Sequence, residues 1–287
     1  MPQTSTTGQL ENASREMIAQ LIYSTENNIV ATKDVVEQFS LSSGEDTGIF
    51  PKVGKMSFSA LAEGQDIIDE EDIGMSTVSV TPSEVGAKVI LTDRLLRRNV
   101  ATNWRSVGRQ LGDAGARREN EDFVGLFSGL STDIGSAGRV LSGENFMNII
   151  TRAQEAPLGS DLSLVHHPVA VARLGRDVSS IGSGTIRPIP TGLSQDHLNR
   201  FWEFTLLNVK VYQTATISRD TADDGIGAIF DRQAFGKLNE QGIRKERQRD
   251  ASLRAWEMVV TSVYAYFEHD DDRGFGLTLD AAQLSTT

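Results

Sequence analysis

The chain has 287 residues carrying 39 acidic and 28 basic side chains, a net charge of −11 at pH 7, which excludes a general nucleic-acid binder because attraction to phosphate needs a large basic footprint. At 39% hydrophobic and 23% charged residues it has the composition of an ordinary globular protein rather than a disordered or fibrous one. It contains no cysteine, so disulfides, thiolate-bound zinc and thiol catalysis are excluded.

Residues 1–9 are polar and lack the basic and apolar regions of a secretory signal. Met17, Ile18, Leu21 and Ile22 then recur at helical spacing, predicting an amphipathic arm helix over Glu11–Asn27. No apolar run in the chain approaches the ~20 residues that a bilayer requires. After a polar stretch at 40–47, Met56, Phe58, Ala60 and Ala62 alternate with Lys55, Ser57, Ser59 and Leu61, and Ser76–Thr81 alternates again. With the acidic EGQDIIDEEDIG between them, these predict a long two-stranded hairpin with a charged tip. Such a ribbon is marginal alone in water and needs another surface to lie on.

Val85, Ala87, Val89 and Leu91 predict the next strand, and Thr92-Asp93 caps a helix through RLLRRN. From Thr102 to Phe127 a helix of ~39 Å is expected, with Trp104, Val107, Leu111, Ala114 and Arg118 on one stripe. Gly108, Gly112 and Gly115 each cost it roughly 1 kcal/mol of propensity and are expected to let another backbone approach. Gly129, Gly135, Gly138 and Gly143 punctuate the best candidate domain boundary. Ser142 then caps a helix with Phe146, Ile149, Ile150 and Ala153 on one face, ended by Pro157. LSLVHHP (162–168) predicts a strand leading into helix Val169–Arg176, followed by a Gly/Ser/Pro loop over Ser179–Gly192. Helix Gln195–Phe204, strand Leu206–Tyr212, a turn at 223–225 and strand Ile226–Phe230 complete an α+β module. The pattern over Ile243–Phe267 fits strand or helix, and Phe275–Leu279 alternates as a last strand.

The sequence offers no convincing catalytic, cofactor or metal constellation. Gly48-IFPKV-Gly54-Lys55-Met56 is one residue too long for a phosphate loop and has Met56 where a hydroxyl must reach the metal. His166 and His167, adjacent on a strand, point to opposite faces and cannot clamp one ion; they read as packing where strand meets helix. Asp270, Asp271 and Asp272 lack the alternating ligands of a calcium loop, and Ser183 does not stand in a nucleophile elbow. Charge distribution says more. Residues 44–73 carry a net charge of −6 and residues 88–118 a net charge of +6. We expect the hairpin of one copy to lie over the basic stretch of the next, Asp66, Asp69, Glu70, Glu71 and Asp72 facing Arg94, Arg97, Arg98, Arg105 and Arg109; the alternative is two solvated faces.

In their order and spacing these segments resemble the major capsid protein of tailed bacteriophages. GIFPKVGKMSFSALAEGQDI is similar to the start of that family's extended loop (E-loop), SEVGAKVILTDRLLRR to the strand and turn before its spine helix, and RQLGDAGARRENEDFVGLF to the helix itself. LVHHPVAVARL resembles the strand-His-Pro-helix step of its axial domain, and the stretch from AIFDRQAFGK to GFGLTLDA its C-terminal segment. The resemblance implies an α+β capsid fold: an N-terminal arm (1–43), an E-loop hairpin (44–82), a peripheral P-domain (83–136 and 238–287, the last strand able to return to the A-domain) and an axial A-domain (137–237).

It further implies a shell protein without catalytic activity or cofactor, forming pentamers and hexamers of an icosahedral head around double-stranded DNA, in a virion assembled in the host cytoplasm. A separate scaffolding protein, a portal and a decoration protein are the partners implied, and no membrane. Lys52 and Lys55 lie near where some members carry a lysine that links subunits covalently, although no partner Asn or assisting Glu is identifiable. The rival readings are an encapsulin-type shell around a cargo protein, and an α+β cytosolic enzyme using His166 or His167.

Overall fold

The computed structural model describes residues 35–42, 44–52, 54, 60, 74–98, 103–156, 158–159, 161–180 and 204–283. The predicted arm helix, the strand and acidic tip between Lys55 and Ile73 apart from Ala60, and the loop and helix expected over 181–203 lie outside the described residues.

Val35 and Val36 are buried and lead into β1 (Glu37–Ser40). β2 (Gly48–Lys52) pairs antiparallel with β3 (Ser76–Val80), so the hairpin is already formed before the Met56 alternation begins. β4 (Ser83–Thr92) carries the predicted alternation into α1 (Asp93–Arg98), where the Leu95 N–H donates to Thr92 Oγ1 at 3.4 Å as the cap. The long helix is α2 (Asn103–Gly125), extended by a 3-10 turn over Leu126–Gly129. Its buried positions are Leu111, Asn120, Phe123 and Phe127, whereas Ala114 and Arg118 are exposed. The predicted stripe fails beyond Leu111 because Phe123 and Phe127, one turn apart, bury far more apolar area than a methyl group and a guanidinium. Among the described residues the packing role given to Gly112 and Gly115 finds no partner: a Cβ at either would meet none of them within 4 Å.

α3 (Gly143–Glu155) starts as expected, Ser142 Oγ accepting from the Asn145 N–H at 3.2 Å, and it buries Phe146, Ile149, Ile150 and Ala153. β5 (Leu162–His166) is buried throughout, and α4 (Pro168–Ser180) runs past Arg176 into the expected loop. The single strand predicted over Leu206–Tyr212 is instead a hairpin of β6 (Phe204–Leu206) and β7 (Val209–Gln213). Its two-residue turn places Leu207 at φ 52 and Asn208 at φ 67. Both central residues being left-handed suits the strand twist, but a leucine there is strained. Replacing Leu207 with Asn and Asn208 with Gly together is therefore expected to stabilise the fold by about 1 kcal/mol, read as a higher denaturant midpoint at unchanged slope.

β8 (Asp224–Asp231) begins inside the predicted turn. The ambiguous segment is strand throughout: β9 (Phe235–Asp250) and β10 (Ala255–Glu268) form a long antiparallel hairpin. Residues 251–254 join them, the Asp250 carboxylate accepting from the Ser252 and Leu253 N–H groups. β11 (Gly274–Asp280) closes the described chain.

Two main sheets result, in strand orders β1-β9-β10-β4 and β11-β8-β5-β7-β6. Helices α3 and α4 cover one face of the second sheet through Leu141, Phe146, Ile150, Leu164, Leu174 and Ile229. Its other face meets the end of α2, where Phe123, Phe127, Phe230 and Phe235 join both sheets into one core. The ring of Phe123 lies 5.1 Å from Phe127, 5.9 Å from Phe230 and 5.7 Å from Phe235.

Candidate assembly surfaces

The β2–β3 hairpin is packed against the first sheet. Phe50 of β2 stacks on Phe267 of β10 at 4.6 Å and meets Phe39 of β1 at 4.6 Å, with Val80 and Leu238 buried beside them. Gly48 permits this contact, because a Cβ there would stand 2.9 Å from a Leu238 methyl. Beyond the rings, Lys52 Nζ lies 2.6 Å from Asp270 and 3.8 Å from Asp272. The hydrogen bond to Asp270 raises the Lys52 pKa. Burial pushes the Asp270 carboxyl up, but the Lys52 ammonium outweighs it and holds the group below the usual carboxylate range. Ring stack and ion pair together hold the hairpin, through β2, against the first sheet. Its flanks stay apolar and uncovered, Ile49 at 65% and Met75 at 63% exposure.

The basic surface spans elements far apart in sequence. On α1, Arg94 and Arg97 are exposed, and Asp93 accepts from both terminal nitrogens of Arg249 of β9, one at 2.7 Å. That hydrogen-bonded pair lowers the Asp93 pKa. Trp256 of β10 is flanked by Arg247 at 5.6 Å and Arg249 at 5.4 Å from its ring, a cation–π arrangement. Arg244, Lys245, Arg247 and Arg249 are all exposed along β9. Among the described residues no strand covers the outer edge of β9 beyond Asn239. The sequence pattern over Ile243–Phe267 left strand and helix open; IRKERQR is the basic part of it, and its placement beside Asp93 is a matter of topology.

Of the residues proposed to meet between copies, Arg94 and Arg97 are thus placed on the exposed face of α1. Asp66, Asp69, Glu70, Glu71, Asp72 and Lys55 lie outside the described residues, as do the side chains of Arg98, Arg105 and Arg109. The histidines do separate jobs. His166 is wholly buried, its Nε2 donating to the Leu277 carbonyl at 3.2 Å, and burial lowers its pKa to about 4. His167 Nδ1 accepts from the Val169 N–H at 3.3 Å, in the first turn of α4, which is the packing role read from the sequence. Among the described residues no three potential ligands gather as a metal site, and no helix is long and apolar enough to cross a membrane.

No protein-family model matches the chain, and no curated protein matches it in sequence. Solved structures match it in fold. The capsid of cyanophage Pam1 aligns at a TM-score of 0.67 and 12% identity over 88% of this chain and 90% of that one. The capsid of a native GTA particle aligns at 0.67 and 11% identity over 98% and 95%. The holo-SrpI encapsulin complex of Synechococcus elongatus aligns at 0.58 and 14% identity over 100% and 95%. With two sheets joined at the end of a long helix and a hairpin anchored by aromatic rings, the chain has the α+β fold of tailed-phage major capsid proteins, which encapsulin shells share.

Proposed function

We propose that this chain is the major capsid protein of a tailed bacteriophage. In this reading it forms pentamers and hexamers that close an icosahedral head around packaged double-stranded DNA, in a virion assembled in the host cytoplasm. The observation that carries the reading is agreement of fold over nearly whole chains on both sides, 98% and 95% against the GTA particle capsid. A physical argument points the same way, since the exposed Ile49 and Met75 flanking the β2–β3 pair gain stability only when neighbours cover them. Residues 1–43 then serve as the arm, 44–82 as the E-loop, 83–136 and 238–287 as the P-domain with α2 as its spine, and 137–237 as the A-domain. β11, hydrogen-bonded to β8, belongs with the A-domain.

The acidic tip of one copy lies on the basic surface of the next, to which Arg244, Lys245 and Arg247 of β9 add. Complementary potential of this kind sets orientation and register more than raw affinity. Lys52 acts as an anchor to Asp270 rather than as a crosslinking nucleophile, since the ion pair holds it as an ammonium. A scaffolding protein, a portal and a decoration protein complete the set of partners in this reading. The encapsulin reading stands second, on full coverage of the chain at a lower TM-score; a protein cargo in place of DNA inside particles purified from cells would establish it.

Light scattering followed by negative-stain microscopy tests the proposal. Rings of five and six or megadalton polyhedra are expected. A monodisperse species near 31.3 kDa that persists at high concentration with scaffolding candidates supplied would overturn it. Reversing Asp69, Glu70, Glu71 and Asp72 to lysine is expected to raise the concentration needed for assembly about tenfold or more, ~1.4 kcal/mol. Unchanged assembly of that variant would remove the tip contact while leaving the shell function standing.

A further inference from the structure

The β6–β7 turn holds a leucine where asparagine or glycine is the ordinary choice. Leu207 sits at φ 52 and stays 53% exposed, while Leu206 beside it packs on the core. Local strain of this kind points to a use outside the local structure. β6 is the last strand of the second sheet, so the turn stands at one lateral edge of that module. The other edge is β11, whose outer side is taken by residues 132–134 of the same chain. There the Ile134 N–H donates to the Gly276 carbonyl at 3.0 Å and the Gly276 N–H to the Thr132 carbonyl at 2.8 Å. Beside β11, the Arg139 carbonyl accepts from the Asp280 N–H at 2.8 Å, and Ile149 of α3 shares a groove with Leu279. Val140 and Met147 remain exposed on this side, Met147 because α3 turns Phe146, Ile149, Ile150 and Ala153 inward.

The two apolar spots are separated by the width of five strands, roughly 19 Å. A two-fold pairing of copies needs both partners on one shared patch, which spots on opposite edges cannot supply. Head-to-tail repetition covers both spots in every copy and closes into a ring. We infer that Leu207 of one copy packs on Val140 and Met147 of the next, making the contact that runs around each ring of five or six. The sealed outer side of β11 suits a side-chain contact there in place of strand addition. The inference rests on the shell reading and adds to it the surfaces that meet. It also gives the strained leucine a role, since the residue that burdens the single chain is the one that joins it to its neighbour.

Because the chain has no cysteine, a pair of introduced cysteines reports the contact without background. Particles assembled from full chains carrying Met147→Cys and Leu207→Cys, mildly oxidised and run on a denaturing gel without reductant, are expected to give a ladder ending at five and six linked chains. Leu207→Cys alone, and Leu207→Cys with Leu253→Cys, should run as single chains. Particles that form without giving the ladder would overturn the inference and leave the shell reading standing. Linked dimers from Leu207→Cys alone would overturn it as well, because the turns would then meet like to like. Failure of the unsubstituted chain to form rings or particles at all would remove both readings. As a second measurement free of oxidation, Leu207→Asn with Asn208→Gly is expected to raise the concentration needed for assembly about fivefold, even as it stabilises the single chain; assembly at an unchanged concentration would overturn the inference.

Discussion

Phe123→Ala is expected to destabilise the unassembled chain by about 4 kcal/mol. The side chain is fully buried, and its neighbours come from separate elements: Phe127 from the 3-10 turn, Phe230 from β8, Phe235 from β9 and Tyr266, 5.7 Å away, from β10. Each of those rings is held by its own strand or turn, so the cavity cannot close by a single side-chain shift, and the full packing loss remains. Tyr266 is additionally tethered to α2 through its hydroxyl donating to Glu119 at 3.5 Å. Against a total stability of about 5–15 kcal/mol, that is roughly a quarter to four-fifths of the folding free energy. The denaturant midpoint should fall at nearly unchanged slope; a loss under about 1 kcal/mol would mean the aromatic cluster is not the keystone between the sheets.

Acid is the second large lever. Burial, with a smaller contribution from His167, lowers the pKa of His166 from 6.5 to about 4, against the upward pull of the Leu277 carbonyl. Above pH 6.5 the imidazole is neutral in both folded and unfolded chains and costs nothing. Between pH 6.5 and about 4 the unfolded chain takes up a proton that the folded chain refuses, so stability falls with falling pH and levels off below 4. The full loss is about 3 kcal/mol, from 1.36 kcal/mol per pKa unit. Carboxylates titrate in the same range, so the measurement is a difference. His166→Gln, whose amide can still donate toward Leu277, should show a shallower decline between pH 7 and 4.5, and parallel curves would sink the assignment.

What the sequence made legible follows from burial. α3 could be read to the residue because a capping serine precedes a face that is wholly inside, leaving the 3.6 period clean. The outer part of β9 could not, because IRKERQR is solvated on both faces and a strand without a buried face has no period of two to read. The β6–β7 turn escaped because Leu207 stands where glycine or asparagine normally announces a tight hairpin. In α2 the exposed positions Ala114 and Arg118 continued a plausible stripe, and nothing local reveals that both sheets meet the helix at Phe123 and Phe127. For the surfaces, the opposite charges of 44–73 and 88–118 were visible, but the pairing of Asp93 with Arg249 joins residues 156 apart, a distance only topology closes.

That no strand among the described residues pairs with the outer edge of β9 beyond Asn239 also bears on how the protein can be handled. A strand edge without a neighbouring strand is a template on which an extended chain can zip. Arg244, Lys245, Arg247 and Arg249 ride on that edge, so two such edges repel each other as they approach. The barrier has the range of the Debye length, about 10 Å at 0.1 M salt and 3 Å at 1 M. Dilute buffer therefore keeps separate copies from sticking edge to edge, and concentrated salt removes the protection, so salting out should yield β-rich aggregates in place of ordered particles.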